Sequence, residues 1–223
     1  MKKYIYITIH LILSFLPGKA QDHLMEYGVS GGPNFNTAFG TAISKEDADG
    51  LIGYSFGVNV KMNLSQRFGV KALLQYDQIG WAYRSLIFEN SNGTGFNKVD
   101  ALFKMNYLNL PVVAEYTFGN KTTFYTNAGI FFGVLLNSKT ITKQKEPTGP
   151  DIVTQSTAYR KSTNAGITLG AGMQMPVSSD IKLGIGLHNN LGLKNISKSP
   201  GSTAESTIKT NSLSILAGIT YSL

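Results

Sequence analysis

The chain of 223 residues contains no cysteine, and only 15 % of its positions carry a charged side chain. Without cysteine there is no disulfide, no thiol nucleophile, no Cys-ligated metal centre and no lipid on an N-terminal cysteine, so any hold on a membrane has to come from the fold. No run approaches the ~18 uninterrupted apolar residues of a membrane-spanning helix, and a mean hydropathy near zero excludes a helical membrane bundle. So low a charge content is unusual for a soluble domain. What the sequence has in quantity is small or aromatic: 24 Gly, 12 Phe and 11 Tyr. Those residues suit crowded, two-faced strands.

The first twenty residues read as a cleaved export signal, with Lys2 and Lys3 as the positive region, Tyr4 to Leu16 as a short apolar core, and Gly18-Lys19-Ala20 as the cleavage pattern before Gln21. Residues 21–223 then form a single domain. Loss of Lys2, Lys3 and Lys19 takes the formal charge from +7 down by three to +4. The remaining Lys and Arg are scattered rather than interleaved with aromatics on one surface, which argues against a nucleic-acid partner.

Period two dominates the rest. The clearest case ends the chain: Leu213, Ile215, Ala217, Ile219, Tyr221 and Leu223 share one face, with Ser, Thr and Gly prominent on the other. Seven further segments alternate similarly: Glu26 to Phe35, Ile52 to Leu64, Phe68 to about Tyr83, Asn106 to Phe118, Thr123 to Asn137, Thr163 to Val177, and Ile181 to about Leu193. In the third segment Ile79, Trp81 and Tyr83 fall on the parity of Lys71, Gln75 and Asp77. Either a bulge near Gly80 returns the two aromatics to a lipid-side girdle, or the strand stops there and they cover a loop. Pro111 removes a ladder donor from the fourth segment, for which a local bulge is expected.

The connections run long, short, long, short, long, short, long. The short ones are Ser65-Gln66-Arg67, Gly119-Asn120-Lys121 and Ser178-Ser179-Asp180; among the long ones, 84–104 and 138–160 read as polar exposed loops, the second with room for a protruding hairpin. This is the loop order of an all-β, eight-stranded antiparallel transmembrane up-and-down β-barrel with both termini in the periplasm and its apolar face toward outer-membrane lipid. A soluble ligand-binding barrel puts its apolar face inside instead. The final strand closes the barrel against the first through Leu213, Ile215, Ile219, Tyr221 and Leu223.

The export signal, the Tyr107-Leu108-Asn109-Leu110-Pro111 stretch, the Gly-x-Thr-x-Gly-x-Gly run from Gly166 to Gly172, and the Ala20-Gln21 junction resemble the PorT-like outer-membrane β-barrel family of Bacteroidetes over nearly the whole mature chain. Barrels of that kind usually end in an aromatic; this one ends in Leu223, with Tyr221 and Ile219 at the alternate positions. The resemblance implies insertion by the barrel-assembly machinery and a part in protein secretion.

Candidate chemistry is confined to the inner face, where Lys61, Lys71, Asp77, Glu115, Lys182 and His188 fall. Small neighbours leave room for these side chains to cross the lumen and pair, plugging it; the competing reading is a selective path or proton-sensitive gate at His188. No nucleophile elbow, His-Glu-x-x-His run or metal-ligand spacing occurs, so the sequence predicts no enzyme, cofactor or metal. An outer-membrane lipid-modifying activity or a small pore stands as the alternative. The connections 84–104 and 138–160 are the candidate surface for a protein partner or ligand.

Overall fold

Alternation of apolar and small polar residues commits each segment to a pleated strand with one apolar face. The computed structural model describes residues 25–43, 48–89, 96–146, 149–198 and 206–223. The expected export signal lies outside the described residues. The strands are β1 (Met25–Phe39), β2 (Ala48–Asn63), β3 (Phe68–Glu89), β4 (Phe96–Gly119), β5 (Thr123–Glu146), β6 (Ile152–Gln155), β7 (Thr163–Pro176), β8 (Ile181–Gly192) and β9 (Lys209–Ser222), with a 3-10 turn at Thr157–Tyr159.

Antiparallel pairing runs from β1 to β5 in chain order, then through β7, β8 and β9 back to β1, closing an eight-stranded ring on which β6 is a short addition to β5. Starting at Glu26, the paired residues are Lys61, Lys71, Val113, Gly129, Thr168, Asn190 and Ser212, and the walk returns to β1 at Asn36, ten residues further on (36 − 26 = 10). With ~3.3 Å per residue and ~4.8 Å between strands, that stagger tilts the strands by about 41° and puts the backbone ~8 Å from the axis. So narrow a cylinder is filled by its own side chains.

Outward residues form an apolar band: Val29, Val58, Ile130, Leu169, Ile185 and Ile219 are all exposed. Aromatics edge it at both ends. At the short-turn end Tyr27 pairs directly with Tyr221, Phe68 meets Tyr116 at a tilt, and Tyr116, Phe118 and Phe124 stack in sequence. Towards the other end Tyr54, Phe56 and Tyr76 stack on one another. From Phe68 to Tyr76, eight rises along a strand tilted by ~41° span ~20 Å, near the ~25 Å apolar band of such barrels.

Several expectations are corrected. There is no bulge in β3 near Gly80 and no strand end: β3 keeps its parity through Trp81, its register against β4 shifts only between Tyr83 and Leu86, where Ser85 adopts φ 56°, and opposite Asp77 to Trp81 the extra residue lies in β2, between Gly50 and Ser55. Trp81 therefore points into the barrel and is buried, while the outer girdle is built from Tyr54, Phe56 and Tyr76. Pro111 causes no bulge either. The β3–β4 register is the same on both sides of it, Ala72 with Val112 and Gln75 with Asn109, so the missing donor leaves a local gap in the ladder. The connection expected at 84–104 is mostly strand, because β3 continues to Glu89 and β4 begins at Phe96. Much of 138–160 is strand as well, since β5 runs to Glu146 and pairs with β6. Its bulges lie at Leu136, between Leu135 facing Tyr107 and Asn137 facing Asn106, and at Lys145, between Gln144 facing Val99 and Glu146 facing Lys98.

Candidate functional site

The lumen is stacked in levels, set by which residues lie at equal height on paired strands. At the short-turn end Glu26 of β1 receives Lys182 of β8 at 2.8 Å and the amide of Asn63 of β2 at 3.1 Å. Next, Glu115 of β4 lies 2.9 Å from Lys61 and 3.7 Å from Lys71, takes a hydrogen bond from Asn127 of β5 at 3.3 Å, and is 1 % exposed. Two ammonium groups on neighbouring strands thus converge on one carboxylate, and Lys71 also sits 5.5 Å above the Tyr125 ring. Mutual pairing and full hydrogen bonding are what allow such charges to be buried.

Apolar Leu73, Val113, Phe131 and Leu216 are buried above this level. Then comes a second polar level without cations. Asp77 accepts from Ser55, from Gln75 at 2.8 Å and from Asn109, and Ser55 in turn accepts from Asn34 at 2.8 Å. Asn36 donates to Asn34 at 2.7 Å, joining β1, β2, β3 and β4 through side chains.

The mouth at the long-connection end is filled by an apolar plug, in addition to the polar network expected to plug the lumen. Ile79, Trp81, Met105, Tyr107 and Leu135 from the strands meet Ile43, Ile196 and Ile208 from the connections. The strap between β6 and β7 holds the plug down. Lys161 N–H donates to Ile196 at 2.9 Å, Lys198 N–H to Tyr159 at 3.0 Å, and Ile196 N–H to Ile208 at 2.9 Å. The Arg160 guanidinium lies 5.0 Å from the Trp81 ring and 5.8 Å from the Phe103 ring, a cation–π contact with two stacked aromatics. Burial lowers its pKa from the ordinary guanidinium value, and no carboxylate among the described residues pairs with it.

Of the six inner-face residues singled out from the sequence, Lys61, Lys71 and Glu115 meet directly, Lys182 pairs with Glu26, and Asp77 belongs to the separate amide and hydroxyl level. His188 lies beside Tyr125, ring centroids 6.4 Å apart, and lines a void of about 30 Å³ with Lys71 and Gln174. That is room for a water or two. Among the described residues no serine or carboxylate is hydrogen-bonded to His188, and no three or more His, Asp or Glu cluster as a metal site. Larger hollows lie on the outer wall, such as one of about 690 Å³ lined by Ile130, Phe132 and Ile167, facing the lipid position. Sequence reasoning missed Glu26, although it shares the parity of Gly28 and Ser30, and missed Arg160, for which no local pattern exists.

A closed antiparallel ring with an apolar wall, aromatic edges and ion pairs inside is a transmembrane β-barrel. No helix among the described residues is long and apolar enough to cross a membrane, so the strands do the crossing. A family model described as an outer membrane protein beta-barrel domain matches residues 19–198, and the chain belongs to that family. It is an outer-membrane protein. No curated protein matches it. Similar solved structures include the attachment invasion locus protein Ail of Yersinia pestis (13 % identity over 87 % of this chain and 97 % of that one, TM-score 0.41), Neisserial surface protein A (13 %, 88 % and 97 %, TM-score 0.44) and the outer membrane protease OmpT of Escherichia coli (10 %, 89 % and 96 %, TM-score 0.46).

Proposed function

We propose that this barrel is a sealed scaffold that presents the sheet β3–β6 to a protein partner or ligand outside the cell. The observation that carries this reading is the length of three neighbouring strands. β3, β4 and β5 run 22, 24 and 24 residues, about twice the ~9–11 that a tilted strand needs to cross a bilayer, and they stay paired beyond the plugged mouth. A rigid ladder continued into water at the expense of ordering its backbone is a platform rather than a slack connection. It exposes large apolar side chains, with Ile87 66 % and Phe96 70 % accessible. In this reading the short turns and both termini face the periplasm after removal of the export signal, the lumen does not conduct, and no residue is catalytic. The Tyr107 to Pro111 and Gly166 to Gly172 stretches support a place in the PorT-like branch, with secretion components as the partners expected to co-purify.

The absence of cysteine makes the test direct. Ile87→Cys is expected to react with a membrane-impermeant maleimide on intact cells, and a photo-crosslinking residue at the exposed Val153 of β6 to capture a defined partner that is lost when residues 86–99 are replaced by a two-residue turn. Labelling only after permeabilisation would overturn the orientation. An unchanged crosslinking pattern in the shortened protein would overturn the platform.

A further inference from the structure

Above the lipid band, the outward face of β3–β5 changes character in one step. Leu108 of β4 and, at the bulge, Leu136 of β5 end the apolar rows, and Gln78, Asn106 and Asn137 follow as a ladder of side-chain amides, Gln78 to Asn106 at 3.4 Å and Asn106 to Asn137 at 2.9 Å. The next outward pair is Lys104 and Lys139, directly opposite each other across β4 and β5. Like charges in that position destabilise a sheet. Neither ammonium has an ion-pair partner among the described residues, and the nearby described carboxylates are taken: Asp100 by Lys145 at 2.9 Å and Asp49 by Arg84 at 2.8 Å. Gly80 flanks Lys104 on β3 and Gln155 flanks Lys139 on β6, so the pair has a bare backbone on one side and an amide donor on the other. Lys143 lies four residues further along the same face of β5.

We infer that Lys104 and Lys139 form a site for the phosphate of an outer-leaflet lipid headgroup. The face is continuous with the surface that already touches acyl chains, so whatever neutralises the pair is held at headgroup height by the same molecule that covers Leu108, Leu110 and Val134. A tetrahedral dianion with several acceptor oxygens answers both ammonium groups at once, and the amide ladder beneath supplies further donors. The inference rests on the orientation in which the projecting sheet is outside. The whole-cell labelling of Ile87→Cys reports that orientation alone, while the following measurement, made on purified protein, reports the lysine pair alone.

Purified full-length protein and the Lys104→Gln/Lys139→Gln variant are heated in an uncharged maltoside detergent, and the temperature at which the folded, fast-migrating form disappears on gels is read for each. In detergent alone the variant is expected to melt at the same temperature as the wild type or a few degrees higher, because a like-charge pair has gone. Adding diphosphorylated lipid A should raise the wild type by several degrees and leave the variant unmoved, reversing the order, with wild type alone retaining the lipid in native mass spectra. Dephosphorylated lipid A and inorganic phosphate should do neither. Equal gains in both proteins, or a gain of the same size from dephosphorylated lipid, would overturn the site. An equal gain from inorganic phosphate would overturn the lipid as its occupant.

Discussion

Glu115 is the residue on which the lower lumen depends. It is the carboxylate that Lys61 and Lys71 share, so removing it leaves two buried ammonium groups facing each other across neighbouring strands. Breaking a buried ion pair from one side costs about 3–5 kcal/mol. Glu115→Ala is therefore expected to lower markedly the temperature at which the folded form is lost in detergent, and an unchanged temperature would show that the cluster carries no stability. Trp81 reports the upper lumen. It is the one tryptophan in the chain and is 2 % exposed beneath the Arg160 strap. Its emission should be blue-shifted and poorly quenched by acrylamide in the wild type, and Arg160→Ala should raise the quenching several-fold without unfolding the barrel. Quenching equal to that of free indole in the wild type would contradict the plug.

Among the elements, β9 shows why strands were legible from the sequence and their inner packing was not. Strict period two across Leu213 to Leu223 needs no partner to be recognised, and the observed pairing of Tyr221 with both Tyr27 and Ile181 places the strand between the first and the last-but-one of the ring. Deleting residues 221–223 removes these closing contacts together with the Leu223 N–H to Met25 bond at 3.0 Å. Heat-modifiable migration should be lost or reduced in that variant, whereas Leu223→Phe should keep it. For β3 the same period-two logic went astray beyond Gln78, because it assumed that apolar residues always seek lipid. Ile79 and Trp81 instead bury against Ile43, Ile196 and Ile208, which lie in connections far away in sequence and carry no periodic mark. The polar look of 84–104 hid strand for a related reason. Outside the bilayer a ladder can be polar on both faces, and alternation then fades.

For the whole molecule, the stagger of ten on eight strands leaves a cylinder about 8 Å in backbone radius, and the protein fills it twice over: with ion pairs and amides below, and with an apolar plug and its cation–π strap above. The pairing order was readable from the sequence; which charges meet was not, because it depends on strand stagger, and stagger is fixed by closure of the entire ring. In the scaffold reading, a sealed lumen moves every interaction with the surroundings to the outer wall and to the projecting sheet. The direct test is electrical. Refolded wild-type protein inserted in a planar lipid bilayer, with insertion verified by protease protection, is expected to give no steady single-channel steps above the bare membrane. Regular ohmic steps in the wild type would contradict the sealed barrel, and with it the scaffold reading.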